Sequence, residues 1–186
     1  MLTFTKMKKE LYRKIEIPSD VSAELEGNLL KVTGPEGENF RRFILGKVEL
    51  VKEGNNITVG SENATKKEKK MMNTIAAHIR NMILGVQKKF EYELKAVFSH
   101  FPVTLEVKGH EFIIKNFLGE KVPRKAKIPA GVSVEVQGNT IKVTSTNREL
   151  AGQTAANFET ATRIRARDKR VFQDGIFMTK KAGEEI

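Results

Sequence analysis

The sequence contains no cysteine, no tryptophan and only three histidines among its 186 residues. The missing cysteine excludes disulfide bonds, thiolate metal sites and cysteine nucleophiles, and it fits a reducing compartment. No stretch approaches the ~20 consecutive apolar residues that a membrane-spanning helix needs. Residues 1–6 lack the apolar segment and the small-residue cleavage site of a signal peptide. We therefore expect neither a membrane partner nor a secretory signal.

Residues with catalytic chemistry are few and isolated. His78, His100 and His110 have no partner at metal-ligand spacing such as i+4. The pair Ser99-His100 lacks the Gly-x-Ser-x-Gly context of a serine nucleophile, and the scattered carboxylates form no obvious acid and base couple. The sequence thus predicts no enzyme, no metal site, no cofactor and no small-molecule substrate. An enzyme acting on nucleotides stays open as an alternative, and it would need a convergent histidine or carboxylate site.

Positive charge, in contrast, is abundant. The chain has 33 Lys and Arg against 23 Asp and Glu, a formal net charge of +10, and a sequence pI of about 9.7. Such an excess favours a polyanionic partner, and a nucleic acid more than an anionic membrane. The alternative is a solvated basic surface without a partner.

An internal repeat organises the chain. Residues 54–63 and 138–147 share Gly, Asn, Ile, Val, Ser and Asn in the same register, and a helical pattern follows each copy. Glycines at 27 and 109 extend the repeat to an earlier hairpin. Duplication at this period predicts an α+β fold of two tandem repeats, each a small, mostly antiparallel sheet packed against one helix. We place the domains at 1–86 and 87–186.

Local patterns supply the elements of each repeat. Alternating apolar residues around Gly27, Gly54 and Gly109 predict β-hairpins. Regular structure is expected from Ile15 onward, after a basic lead-in at 1–14 that is either frayed or a short helix. Asn63 or Thr65 can cap the first helix, and the second is expected to begin after Asn147. The apolar stripe of the first helix comprises Met72, Ile75, Ile79, Met82 or Ile83, and Val86.

The most concentrated positive stretch runs from Arg163 to Arg170. Arg163, Arg165 and Arg167 alternate, and in an extended segment all three would lie on one side. The guanidinium fork matches phosphate oxygens better than a lysine ammonium does. The alternative is a solvated helix exit, where positive charge also suits the helix dipole.

Four residues near the arginine stretch carry further expectations. Phe172 and Phe177 either stack on a base or fill the core. The carboxylates of Asp168 and Asp174 are expected to hold neighbouring arginines in place.

The turn at residues 34–37, Gly-Pro-Glu-Gly, superficially matches a phosphate-binding Gly-x-x-Gly loop. No Gly-Lys-Ser/Thr follows it, and Glu36 would put negative charge where a phosphate would sit. A tight turn that needs glycine dihedral angles is the better interpretation.

Together these motifs resemble a known family. The tandem repeat, VTGPEG at 32–37, HFP at 100–102, NFLGEK at 116–121 and RIRARDKRVFQDGI at 163–176 are similar to the L-six family of large-subunit ribosomal proteins, in its archaeal and eukaryotic branch. The resemblance implies a structural, non-enzymatic protein of the cytoplasmic ribosome. Its implied partners are large-subunit rRNA and neighbouring ribosomal proteins, with translation factors nearby.

The resemblance also implies which residues bind RNA. In such proteins the second domain makes most of the RNA contact, near the factor-binding region and the sarcin–ricin loop. Carried over, this points to Gln153, Asn157, Arg163, Arg165, Arg167, Lys169 and Arg170, while Lys121, Arg124 and Lys125 are candidates by charge and position. Glu36 stands where many relatives carry lysine, so we assign no RNA contact to that loop. A free-standing RNA-binding module or RNA chaperone is the alternative function.

Overall fold

The computed structural model describes residues 9–186. The chain divides into two compact units, the first ending at Lys88 (unit 1) and the second beginning at Lys89 (unit 2). The predicted boundary falls two residues earlier, between 86 and 87. The part of the predicted lead-in that precedes residue 9 lies outside the described residues.

Unit 1 contains two three-stranded sheets and one long helix. Its elements are β1 (Lys9–Glu16), β2 (Ser22–Glu26), β3 (Leu29–Gly34), β4 (Gly37–Arg42), β5 (Glu49–Glu53), β6 (Asn56–Ala64) and α1 (Lys66–Gln87). The strand orders are β1-β6-β5 and β2-β3-β4, and every pair is antiparallel. Helix α1 packs against strands of both sheets. The prediction of one sheet per repeat was therefore too simple, although the α+β class and the antiparallel pairing are confirmed.

The core of unit 1 follows from two periodicities. Leu30, Val32, Ile57 and Val59 are fully buried at alternate strand positions, where side chains point to the same face. The predicted apolar stripe of α1 is buried against them. Burial of a side chain of this size stabilises the fold by about 1.5–3 kcal/mol.

Both ends of α1 have identifiable caps. The Thr65 hydroxyl accepts a hydrogen bond from the Lys67 N–H (3.3 Å), and the Glu68 carboxylate reaches back to the Thr65 N–H (2.9 Å). The Thr65 side chain also accepts from the Glu68 N–H, which completes a capping box that satisfies otherwise unpaired amides and confirms Thr65 as the cap. At the other end, the Glu36 N–H donates to the Val86 carbonyl (2.9 Å).

The turn at residues 34–37 has a structural role in unit 1. A Cβ on Gly34 would come within 2.9 Å of Val86, so only glycine allows the turn this close to α1. Gly37 has φ of +130°, which L side chains rarely adopt. The interpretation as a turn that needs glycine dihedral angles is confirmed.

The prediction that residues 1–14 form a frayed lead-in or a short helix was wrong for the part that the structure describes. Residues 9–14 belong to β1, which pairs with β6 from Lys9↔Ala64 to Glu16↔Asn56. The polar, basic sequence of this stretch gives little sign of a strand. Its conformation comes from long-range pairing, which overrides local composition.

Unit 2 contains a three-stranded sheet, a five-stranded sheet and a shorter helix. Its elements are β7 (Phe90–Val97), β8 (Thr104–Lys108), β9 (Glu111–Lys115), a 3-10 turn (Phe117–Gly119), β10 (Arg124–Lys127), β11 (Ser133–Gln137), β12 (Thr140–Ser145), α2 (Arg148–Ala161), β13 (Gly175–Lys181) and β14 (Glu184–Glu185). The strand orders are β10-β9-β8 and β11-β12-β7-β13-β14. The sequence had not indicated β13 or β14.

Helix α2 packs closely on the sheets of unit 2. Asn147 caps its start by accepting from the N–H groups of Glu149 (2.9 Å) and Leu150 (3.4 Å). Ala151 and Ala155 are fully buried, so the small residues of this helix serve contact with the core. Phe158 fills the space that they leave, since its ring stacks on that of Phe112 with a centroid distance of 4.2 Å.

Candidate nucleic-acid interface

The arginine stretch lies on an anchored loop, residues 162–174 (the Arg loop), between α2 and β13. The hydroxyl of Thr162 accepts the N–H of Ile176 at 2.9 Å, which ties the two ends together. Ile164 is buried in the core of unit 2. Compact loops with closed ends and packed side chains are frequently functional. This loop therefore holds its exposed charges on a fixed backbone.

The two aspartates of the Arg loop fix its backbone. The Asp168 carboxylate accepts from the N–H of Arg170 at 2.9 Å. Asp174 is buried, and its Oδ1 accepts from the N–H of Ser99 (3.0 Å) and from the Ser99 hydroxyl (3.2 Å). The prediction that Asp174 holds an arginine side chain was wrong. It binds the chain just after β7 instead.

Alternation positions two of the three spaced arginines. Arg163 and Arg165 are exposed on either side of the buried Ile164. Ala166 then has φ of +55°, a left-handed conformation that interrupts the two-residue alternation of extended backbone. The guanidinium of Arg167 lies over the ring of Phe172, 4.9 Å from its centroid. The three arginines are therefore not presented as one extended row.

Arg163 and Arg165 border an open groove of about 640 Å³ (the basic groove) between β10 and the end of α2. The side chains that give it polarity are Arg124, Lys125, Lys127, Asn157, Arg163 and Arg165. Lys125 and Lys127 are exposed at alternate positions of β10. Lys125 also pairs with Glu111 at 3.0 Å, but both side chains stay largely exposed. Exposed pairs of this kind contribute about 0–1 kcal/mol, so Lys125 can exchange its partner at little cost.

Arg124 differs from the other basic residues of the groove because its guanidinium is engaged within the protein. Its Nε and Nη2 donate to the two carboxylate oxygens of Glu120 at 2.8 and 2.6 Å. Its Nη1 donates to the carbonyls of Ala161 (2.9 Å) and Arg163 (3.3 Å), and its Cζ lies 4.4 Å from the centroid of Phe117. Arg124 thereby satisfies carbonyls at the end of α2 and ties that end to the segment before β10.

The Arg124 pair also affects the titration of its partner. Hydrogen bonds from the guanidinium, which favour the ionised carboxylate, hold the pKa of Glu120 below its ordinary value. Glu120 therefore remains ionised, and keeps its hydrogen bonds to Arg124, to a lower pH than an unpaired glutamate would.

Comparison with known proteins decides the family. The family model described as "Ribosomal protein L6" matches residues 17–89 and again residues 101–175. A large ribosomal subunit protein uL6 from Archaeoglobus fulgidus is 45% identical over 186 residues, covering 97% of this chain and 94% of the relative. Proteins of the same name from Methanobrevibacter smithii and Sulfurisphaera tokodaii are each 45% identical and cover 90% and 92% of this chain.

The chain belongs to the ribosomal protein L6 family. The predicted family resemblance is confirmed, and the two separate matches agree with the predicted internal duplication. Members of the L6 family are structural ribosomal components and not enzymes, and their location is the cytoplasmic ribosome.

Three further structural findings concern the part of the chain that the structure describes. Within residues 9–186, no cluster of three or more His, Cys, Asp or Glu side chains is arranged to hold a metal. The hydroxyl of Ser99 bonds both His100 Nδ1 (2.8 Å) and Asp174, so the histidine does not bridge serine and aspartate as a catalytic triad requires. Over the same residues, no helix combines the length and hydropathy that crossing a bilayer requires.

The structure separates the ten predicted RNA-binding residues of this L6 protein into two sets. Those that line the basic groove are Arg124, Lys125, Asn157, Arg163 and Arg165. Those outside it are Lys121, Gln153, Arg167, Lys169 and Arg170. Gln153 lies one turn before Asn157 on α2 and donates to its Oδ1 at 2.9 Å, so it orients a groove residue.

Sequence reasoning missed two polar residues of the groove, Lys127 and Thr160. Lys127 lies two positions after Lys125 on β10, and Thr160 lies three positions after Asn157 on α2. Both spacings place side chains on a shared face. The strand alternation and the helical period would have found them once β10 and α2 were assigned.

Proposed function

We propose that this L6 protein is a structural constituent of the large ribosomal subunit that binds large-subunit rRNA through unit 2. The observation that carries the proposal is the basic groove, where exposed Arg163, Arg165, Lys125 and Lys127 surround one cleft. Phosphate contacts by such side chains release condensed counterions and supply much of the affinity for nucleic acid. The groove is thus suited to follow an RNA backbone.

Recognition by shape fits these residues better than reading of base pairs. The major groove of an A-form helix is too narrow for side chains to enter, so folded RNA is recognised through its phosphates and 2′-hydroxyls. Asn157 adds an amide that can donate and accept hydrogen bonds. The anchored Arg loop supports this mode, since a fixed loop has less conformational entropy to lose on binding.

The proposal includes a location close to the region where translation factors bind and to neighbouring ribosomal proteins. The support is the resemblance of residues 116–121 and 163–176 to the corresponding family motifs. Chemical footprinting of rRNA in subunits, with and without the protein, tests this location. Protection confined to other regions of the subunit would contradict it.

The groove can be tested with two charge-matched variants. Arg163→Ala combined with Arg165→Ala removes two groove guanidinium groups, and we expect binding of large-subunit rRNA to weaken by roughly tenfold or more. The slope of log affinity against log salt concentration should become shallower by the amount expected for about two lost phosphate contacts. The control combines Lys69→Ala and Lys70→Ala, which removes equal charge from exposed positions of α1 in unit 1. Filter-binding titrations at several salt concentrations supply both numbers.

The outcomes separate this function from its alternative. If the arginine and lysine variants weaken binding equally, total charge rather than the groove determines affinity. A competition between a folded large-subunit rRNA fragment and bulk RNA then tests specificity. Equal competition by bulk RNA would favour a free-standing RNA-binding module or chaperone.

A further inference from the structure

A second cavity of about 720 Å³ (the apolar cavity) lies under the Arg loop, and Thr160 and Arg163 line both it and the basic groove. Its walls come from Val97 of β7, Phe177 of β13 and Phe172 of the Arg loop. The volume falls within the roughly 300–1,000 Å³ of small-ligand pockets. An apolar cavity that opens beside a groove lined by phosphate-binding candidates is not explained by contacts to the RNA backbone alone.

One wall of the cavity is a flat, accessible apolar surface. Phe177 is 49% exposed and Val97 is 41% exposed, although both belong to paired central strands of the sheet. Val97 pairs with Gly175, and a Cβ on Gly175 would come within 3.0 Å of the Phe177 ring. The missing side chain therefore lets the ring lie over the strand. Such a platform suits the face of a planar aromatic group.

The rim of the cavity carries both signs of charge at different places. Arg163 and Lys169 provide cations. Glu159 uses Oε1 to accept the N–H of Met178 at 2.9 Å, and Asp174 uses Oδ1 to accept from Ser99. One oxygen of each carboxylate thus has an assigned bond, and the other is left to accept from a ligand.

Resting on the proposed rRNA-binding function, we propose that the apolar cavity receives one unstacked nucleotide of the bound RNA. Its base stacks on Phe177 against Val97, and its phosphate contacts Lys169 and Arg163 at the rim. Aromatic side chains hold unstacked bases in this way in single-stranded RNA recognition. The carboxylates accept hydrogen bonds from exocyclic amino groups, so adenine, cytosine or guanine is favoured over uracil.

The charges argue for a nucleotide over an apolar protein side chain. A buried apolar side chain would cover the second oxygen of each carboxylate without offering a donor, which costs free energy, and it would offer no anion to Arg163 and Lys169. A nucleotide offers a phosphate to the two cations and amino groups to the two carboxylates. The continuity of the cavity with the basic groove through Arg163 lets one RNA strand occupy both.

The test compares two apolar-to-alanine variants of the full chain, Phe177→Ala and the control Val122→Ala. Val122 is 77% exposed in unit 2 and lines neither cavity. We expect Phe177→Ala to weaken binding of large-subunit rRNA about tenfold, and Val122→Ala to leave it unchanged. The salt slope of Phe177→Ala should match the wild type, because stacking releases no counterions. A Phe177→Tyr variant, which keeps a ring, should bind within about twofold of the wild type.

Each of three results would contradict the inference, and together they distinguish a failure of the nucleotide pocket from a failure of the proposed function. Wild-type affinity for Phe177→Ala, with loss of binding in the Arg163 and Arg165 double variant, would refute the nucleotide pocket and leave the proposed function intact. If both Phe177→Ala and the Arg163 and Arg165 double variant kept wild-type affinity, the proposed function itself would be refuted. Phe177→Ala could also bind naked rRNA normally but dissociate from purified large subunits in high salt. That result would mean that the cavity receives a protein segment.

Discussion

The two units are built on one plan and differ in the segment on the C-terminal side of the helix. In unit 1 the sheets run β1-β6-β5 and β2-β3-β4, and in unit 2 the matching strands run β7-β12-β11 and β8-β9-β10. Unit 2 then adds β13 and β14 alongside β7, the strand equivalent to the edge strand β1. The added segment begins with the Arg loop. The duplication thus supplied a second scaffold, and the proposed binding surface lies where β10 and α2 of that scaffold meet the appended segment.

The helices of the two units bury different side chains. Helix α1 buries Met72, Ile75 and Ile79, whereas α2 buries Ala151, Ala155 and Phe158. The alanines of α2 allow close approach, and aromatic side chains such as Phe112 fill the remaining space. Equivalent scaffolds can therefore carry unlike cores, as long as volume and pattern are kept.

The largest expected effect tests whether these cores stabilise their units separately. Phe158→Ala removes a fully buried ring of unit 2, and we expect a loss of about 3–5 kcal/mol of unfolding free energy. Ile79→Ala, which truncates a fully buried side chain of α1 in unit 1, should cost about 2–5 kcal/mol. Hydrogen exchange read by mass spectrometry reports peptides from each unit in one experiment. Each variant should lose protection in its own unit.

A shared loss of protection would contradict this prediction. If Phe158→Ala raised exchange equally in residues 9–88 and 89–186, the two cores would unfold cooperatively. The two units would then share a duplicated fold without unfolding independently.

The sequence predicted much of the shared scaffold because its signals are local. Sequence patterns identified the hairpins around Gly27, Gly54 and Gly109, the capping residue Thr65 and the buried stripe of α1. Each depends on a period of two or 3.6 residues or on a turn residue. The same signals could not show that each unit forms two sheets, since sheet membership depends on long-range pairing.

The binding surface was harder to predict because it depends on backbone details that few residue types reveal. Ala166 adopts positive φ although it is not glycine, and this changes the direction of Arg167. Arg124 looked like any other basic residue, yet it is engaged by Glu120 and by the end of α2. Charge and spacing identified the region. Identifying the cations that face one groove required the three-dimensional fold.

The next prediction contrasts a partly buried ion pair of unit 2 with a more exposed one of unit 1. Arg124 is 25% exposed and makes its hydrogen bonds across segments, so Arg124→Gln should destabilise unit 2 by about 1–3 kcal/mol. Lys31 and Glu38 pair at 2.9 Å with both side chains about half exposed. Lys31→Gln should therefore change unit 1 by less than about 1 kcal/mol. Denaturant unfolding of the full chain, read by unit-specific exchange, measures both.

Arg124→Lys distinguishes a positioning role from a phosphate contact. Lysine keeps the charge but cannot form the bidentate fork. If Arg124 positions α2 and β10, the lysine variant should lose nearly as much stability as the glutamine variant. Full stability of Arg124→Lys, with rRNA affinity lost in Arg124→Gln alone, would instead support direct contact with RNA.

The smallest expected effect is on the pH dependence of stability, to which one carboxylate contributes in each unit. Hydrogen bonds from Arg124 lower the pKa of Glu120 in unit 2, and hydrogen bonds from Thr65 lower the pKa of Glu68 in unit 1. A carboxylate whose folded pKa is depressed contributes stability above its unfolded pKa, and that contribution is lost as the pH falls through the folded pKa. Glu120→Gln should therefore flatten the acid side of the stability profile of unit 2 alone. Glu68→Gln should do the same for unit 1. Exchange protection followed from neutral pH to about pH 3 measures both profiles, and an unchanged profile of unit 2 in Glu120→Gln would mean that solvent screens the Arg124 pair enough to remove its effect.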